Sequence, residues 1–165
     1  MEAVGFVTAD ALTLQIGWLL LFAMAATALL CALLLPLARR LGWLDHPEER
    51  KVHRAPTPLV GGVGIFFVFF GLCAWLNAPV VPLFVASLVL LLTGLIDDRR
   101  PLSSTARFIA QGVACLIMIY WGGIRLDDFG SLFWPSMLEL GPLAVPITIF
   151  AALGVINAFN MIDGL

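Results

Sequence analysis

The chain has 165 residues, of which 61% are apolar and only 12% charged, and its aromatics are twelve Phe, five Trp and one Tyr. A soluble domain carries about 25% charged residues, so this composition has too little polar surface to coat a soluble globule, and it excludes a disordered tail or a coiled coil. Nine Lys and Arg against eleven Asp and Glu leave no basic surplus for nucleic acid, and an integral membrane protein remains.

The charges fall in clusters separated by long apolar runs. Uncharged stretches of 28, 42, 17 and 23 residues lie between Asp10 and Arg39, Arg54 and Asp97, Arg107 and Arg125, and Glu139 and Asp163. A spanning helix takes about 20 apolar residues. The first, third and fourth runs each hold one span, and the second holds two, divided at the turn signal Asn77-Ala78-Pro79. The predicted helices are 12–36, 61–77, 80–96, 105–122 and 143–161. Runs of this length are too long for barrel strands of about ten residues, so the predicted fold class is an all-α polytopic membrane protein, a single transmembrane domain over 1–165.

The loops give the topology. Five spans put segments 37–60, 97–104 and the C-terminus on one side, and the N-terminus, the 77–79 turn and segment 123–141 on the other. Arg39, Arg40, Arg50, Lys51, Arg54, Arg99, Arg100 and Arg107 lie on or beside the first side, and Arg125 alone on the second. This positive-inside bias predicts that the first side is cytoplasmic and the N-terminus external. Residues 1–10 have no basic region and the following apolar run is too long, so a cleaved signal peptide is not expected. Cys31, Cys73 and Cys115 sit inside predicted spans without a CxxC spacing and read as packing residues. The external stretch IRLDDFGSLFWPSMLELG (Ile124–Gly141) reads as a short interfacial hairpin, anchored by Phe129, Phe133 and Trp134, with Asp127 and Asp128 as solvated turn residues.

Three polar stations then fall on the predicted cytoplasmic side. The first is LDHPEERKVHRAPTPLVGGVG (Leu44–Gly64). Pro56 and Pro58 keep it extended, and Gly61, Gly62 and Gly64 open the second span just after Arg50, Lys51, His53 and Arg54. A glycine-rich helix start beside basic residues suits phosphate; on this segment alone, charge anchoring and close helix packing explain it somewhat better. The second is the adjacent pair Asp97-Asp98 at a helix C-terminus, where negative charge opposes the macrodipole. Either Arg99 and Arg100 compensate it, or a divalent cation does. The third is Asn157, Asn160 and Asp163, spaced by three so that a helix carries them as one slanting stripe; interhelical hydrogen bonding is the plain alternative. Together they are the parts of metal-assisted phosphoryl transfer to a lipid-borne acceptor.

HRAPTPLVGGVGIF, GLIDDRRPLS and NAFNMIDGL, in this order and with these spans between them, resemble the polyprenyl-phosphate N-acetylhexosamine-1-phosphate transferases (glycosyltransferase family 4). NAFNM with DDR is similar to the branch that initiates O-antigen or common antigen. The resemblance implies an enzyme in which a polyprenyl phosphate, undecaprenyl phosphate in bacteria, attacks the β-phosphorus of a UDP-N-acetyl sugar such as UDP-GlcNAc. UMP leaves, and a cell-envelope polysaccharide is begun. It implies Mg²⁺, with Mn²⁺ as the alternative ion, and a multi-pass protein of the bacterial inner (cytoplasmic) membrane working at the cytoplasmic face. Its partners are the lipid substrate, the UDP-sugar and membrane lipids, with no nucleic acid; an oligomer stays open.

Carried over by motif, Asp97 and Asp98 are the acidic pair, orienting or deprotonating the lipid phosphate and organising the metal with Asn160. Asp163 is the first aspartate of the Asp-Gly-x-Asp-Gly element, a catalytic role. Lys51, His53, Arg54, Gly61, Gly62 and Asn157 meet substrate. The motif of the family continues beyond Asp163-Gly164-Leu165, and its members have about twice as many spans. The expectation is therefore that residues 1–165 are the N-terminal half of a larger transferase and inactive alone. Two competitors are a non-catalytic membrane assembly protein and a five-span transporter subunit; acids at helix ends rather than at mid-membrane speak against the latter.

Overall fold

The structure is a computed structural model and describes residues 9–42, 44–45, 57–58, 60–130 and 138–162. Among these residues the chain forms five α-helices: α1 (Ala9–Leu41), α2 (Gly61–Trp75), α3 (Val81–Arg99), α4 (Ser104–Tyr120) and α5 (Ala144–Ile162). A single turn of 3₁₀ helix, Gly141–Leu143, leads into α5, and two two-residue strands, β1 (Leu44–Asp45) and β2 (Thr57–Pro58), pair with each other. Each apolar run therefore became the helix predicted for it, with shifted ends.

The chain is an all-helical polytopic membrane protein. By length and composition α1, α3 and α5 can each cross a membrane, and α2 and α4 are apolar but shorter, at 15 and 17 residues. They rise about 22 and 26 Å, against a hydrocarbon core of about 30 Å. A short span is accommodated by local bilayer thinning and by interfacial anchors, and Trp75 and Trp121 stand at the ends of these two helices, both exposed. Many outward side chains of the helices are large and apolar: Trp18, Phe150 and Met161 are 70%, 80% and 73% exposed. Facing water they would be untenable; facing acyl chains they are at home.

Contacts divide the chain into two compact units. The first comprises Met1–Trp43 and Pro58–Ala78 and is built on α1 against α2. Helix α1 runs through Pro36 to Leu41, five residues beyond the expected end. A proline costs one backbone hydrogen bond, but an apolar segment in lipid has no better alternative than helix. Arg39 and Arg40 then lie in the last turn, where cations offset the macrodipole, and Gly42 closes it at φ +67°. The α1–α2 contact depends on Gly64: a Cβ there would lie 2.6 Å from Cys31 Sγ. That thiol in turn reaches the Val60 carbonyl at 3.7 Å. Phe66–Phe67 and Phe69–Phe70 meet edge to face along α2 and Phe66–Phe70 at a tilt, with centroids 4.8–5.5 Å apart. The helix ends in a Schellman motif. Asn77 takes the left-handed position at φ 53°, its N–H donates to Ala74 O, and Ala78 N–H donates to Cys73 O.

The second unit, Leu44–Thr57 and Pro79–Leu165, packs α4 against both α3 and α5. Pro82 sits in the first turn of α3, where its missing N–H costs nothing. Arg100 is extended ahead of Pro101, which stops the helix. Ser103 caps α4 by accepting from Ala106 N–H at 3.2 Å. The expected external hairpin is present at its base: Asp128 and Glu139 form an antiparallel bridge, with Phe129 N–H to Leu138 O and Leu140 N–H to Asp127 O. Thr148 ties that arm to α5 by accepting from Leu126 N–H at 2.9 Å. The anchors Phe133 and Trp134 lie outside the described residues. Asp127 is solvent-exposed beside Arg125, as a turn residue should be.

Candidate functional site

The acidic pair occupies the last turn of α3. Asp97 is only 24% exposed, and its two oxygens have separate partners. Oδ1 accepts Leu102 N–H at 2.7 Å, and Oδ2 faces Arg107 Nη1 at 3.5 Å. Arg107 Nη2 also donates to Leu102 O at 3.3 Å. The arrangement has an electrostatic logic. Asp97 lies at the negative end of α3 and Arg107 at the positive end of α4, so each opposes its own helix dipole. Pairing them across the α3–α4 turn offsets both penalties. A counter-charge on Asp97 thus comes from the next helix, a partner that the sequence reading, which weighed Arg99 and Arg100 or a divalent cation for the pair, did not name. Asp98, one step around the helix, is exposed.

Helix α4 meets the third station on the same face. Gln111 is one turn beyond Arg107, is 5% exposed, and is the buried polar residue of the second unit. Its Oε1 accepts from Asn157 Nδ2 at 2.9 Å, and the same amide nitrogen donates to Leu153 O at 2.8 Å. Both N–H bonds of Asn157 are therefore committed within the protein, which leaves Oδ1 as the atom it can offer a ligand. Asn160, three residues on, is exposed. Asp97 and Asn157 are thus held one turn apart along one face of α4, with no direct hydrogen bond between them among the described residues. Sequence reading passed over Gln111 and counted Arg107 only as a topology charge. The available signal was a lone carboxamide seven residues inside an apolar helix, which must find a partner there.

The first station is only partly described. Gly61 and Gly62 are exposed at the start of α2. A Cβ at Gly61 would meet nothing within 4 Å among the described residues, whereas one at Gly64 would meet Cys31. Lys51, His53, Arg54 and Asp163 lie outside the described residues.

For a divalent cation, no group of three or more His, Cys, Asp or Glu side chains comes together among the described residues. The donors expected for one are nonetheless of the right chemistry. Mg²⁺ takes hard oxygens, typically one or two carboxylates completed by water and substrate phosphate, and Asp98 and Asn160 offer a carboxylate and an amide oxygen on exposed surface. Asp97 is engaged by Leu102 and Arg107.

Residues 80–165, which contain both described stations, match glycosyl transferase family 4. Three similar proteins are called undecaprenyl-phosphate alpha-N-acetylglucosaminyl 1-phosphate transferase. The one from Salmonella typhi is 35% identical over 131 residues, 78% of this chain and 36% of the relative. Those from Yersinia pestis and Escherichia coli are 37% and 34% identical over 134 residues, again 78% of this chain and 36% of each relative. The chain thus spans just over a third of the length of the curated relatives it matches. No solved structure matches it.

Proposed function

Because the chain belongs to glycosyl transferase family 4, we propose that it carries part of the machinery that moves N-acetylhexosamine 1-phosphate from a UDP-sugar to undecaprenyl phosphate. An oxygen of the lipid phosphate attacks the β-phosphorus, the phosphoanhydride bond breaks, and UMP departs. The product begins a cell-envelope polysaccharide of the O-antigen kind. The working face is the cytoplasmic face of the bacterial inner membrane, the side to which the basic loops assign Asp97, Asp98 and Asn157. The observation that carries this reading is the arrangement on α4, which holds one acid of the pair through Arg107 and the amide stripe through Gln111.

The two acids then divide their work. Asp97, held by Leu102 and Arg107, keeps the α3–α4 turn rigid and places Asp98 beside it. Asp98 orients the lipid phosphate or takes its proton. Asp98 and Asn160 are the residues that would hold Mg²⁺, with Asp97 next to Asp98 in the chain; Asp163 has the catalytic role that its motif implies. When bound, that ion neutralises charge on the transferring phosphates. Lys51, His53 and Arg54 bring positive charge to the UDP-sugar, and Gly61 and Gly62 let backbone N–H groups approach its phosphates.

The test replaces the matching segment of the Escherichia coli relative with this chain. Membranes carrying the chimera receive UDP-GlcNAc, undecaprenyl phosphate and Mg²⁺, and UMP is measured. We expect release that Asp98→Asn removes. A correctly inserted chimera that releases no UMP from any UDP-N-acetylhexosamine would overturn the reading.

A further inference from the structure

We propose that Gln111 is a positioning residue for the amide stripe of α5: its buried carboxamide sets the rotamer of Asn157 and the register of α5 against α4, and so the place of Asn160 one turn on. This inference rests on the transferase reading and deepens it.

Three observations carry it. Gln111 is 5% exposed in the middle of an apolar helix, so its polar atoms have nowhere else to turn. Its bond to Asn157, at 2.9 Å, joins side chains 46 residues apart in sequence and links α4 to α5. The packing next to it offers little shape: Ala114 and Cys115, on the following turn of α4, are buried and small, and the large buried side chain of α4, Ile119, stands two turns away. Apolar surfaces of that kind slide; a directional bond with a single good geometry does not. Because Asn157 Nδ2 is also bonded to Leu153 O within its own helix, the side chain is pinned at both hydrogens. The second link of α4, Arg107 to Asp97, then sits one turn away on the same face. One helix thereby fixes the spacing between an acid on α3 and an amide on α5.

The plain alternative is that the pair only glues two helices together. The two roles separate in kinetics. Gln111→Met keeps the length and volume of the side chain and leaves Asn157 bonded to Leu153, so folding should survive; membrane hydrogen bonds of this kind are individually weak. In the active chimera, a positioning role predicts that Gln111→Met lowers kcat at least tenfold while KM for the UDP-sugar stays within twofold. The reciprocal pair Gln111→Asn with Asn157→Gln keeps the combined reach and should recover at least a third of the lost kcat. The amount of inserted, monodisperse protein, measured by gel filtration in detergent, should be the same for all variants.

A Met variant that turns over within twofold of the unsubstituted chimera overturns the inference and leaves the transferase reading intact. So does a swapped pair no better than Gln111→Met, since the bond itself would then not be the agent. If UMP release falls only in proportion to recovered protein, with kcat unchanged, the pair is glue and the inference also fails. An unsubstituted chimera without activity defeats the transferase reading, and this inference with it.

Discussion

Asp97 and Asp98 are adjacent in sequence and unlike in surroundings. The carboxylate of Asp97 accepts a backbone N–H at 2.7 Å and faces a guanidinium at 3.5 Å, whereas Asp98 is exposed. A hydrogen bond to a charged acceptor contributes about 1.5–3 kcal/mol, and a half-solvated ion pair up to about 1 kcal/mol. Replacing Asp97 by Asn keeps an acceptor but removes its charge, so a loss of about 1–2 kcal/mol is expected. Asp98→Asn relieves a charge that opposes the dipole of α3, and contacts made at an exposed side chain are worth little, so it should cost less. Both should abolish UMP release in the chimera, and thermal unfolding in detergent should show the lower Tm for Asp97→Asn. Equal Tm values with equal loss of turnover would refute the division of labour. Lys51→Ala tests the first station: KM for the UDP-sugar should rise about tenfold with kcat nearly unchanged, and a fall in kcat alone would remove Lys51 from phosphate contact.

At the scale of the element, two features of the first unit bear direct tests. A Cβ at Gly64 would stand 2.6 Å from Cys31 Sγ, so either that thiol must turn away or α1 and α2 must part for any side chain. Overpacking of this kind costs about 1–3 kcal/mol. Gly64→Ala should lower the Tm in detergent, and much less so when Cys31 is also Ala, because the atom in the way is gone; additive effects would deny the contact. Asn77 holds φ 53° at the end of α2. Asn77→Val should destabilise that end by about 1–2 kcal/mol, read as the same Tm shift, while Asn77→Gly should be tolerated. The sequence named every helix because a span is written in one unbroken apolar run, and it named the Asn77 turn because Asn-Ala-Pro is local chemistry. It missed the extension of α1 through Pro36, since a proline breaks helices in water far more readily than in lipid. It missed the roles of Arg107 and Gln111 for a different reason. Their partners lie on other helices, and no spacing within α4 tells which neighbour will face it. The motif residues were legible, whereas the contacts that hold them in place are tertiary and were not.

For the whole molecule, the governing fact is the segregation of charge. Eight of nine Lys and Arg fall on or beside one set of connections, and the hairpin side keeps Arg125, already paired with Asp127 at 2.6 Å. Positive residues resist translocation, so the segment between α1 and α2 and the turn between α3 and α4 should stay in the cytoplasm, with the base of the hairpin outside. This orientation decides whether the acid pair meets a soluble nucleotide sugar at all, because such a substrate is made and held in the cytoplasm. Cysteine labelling reads it directly. With Cys31, Cys73 and Cys115 replaced by Ala, a single cysteine at Asp127, exposed in the hairpin, should react with a membrane-impermeant maleimide in intact cells. A single cysteine at Arg50 should react only after the inner membrane is opened. The reverse pattern would put Asp97 and Asp98 on the outer face and would end the case for a UDP-sugar donor, whatever the family likeness.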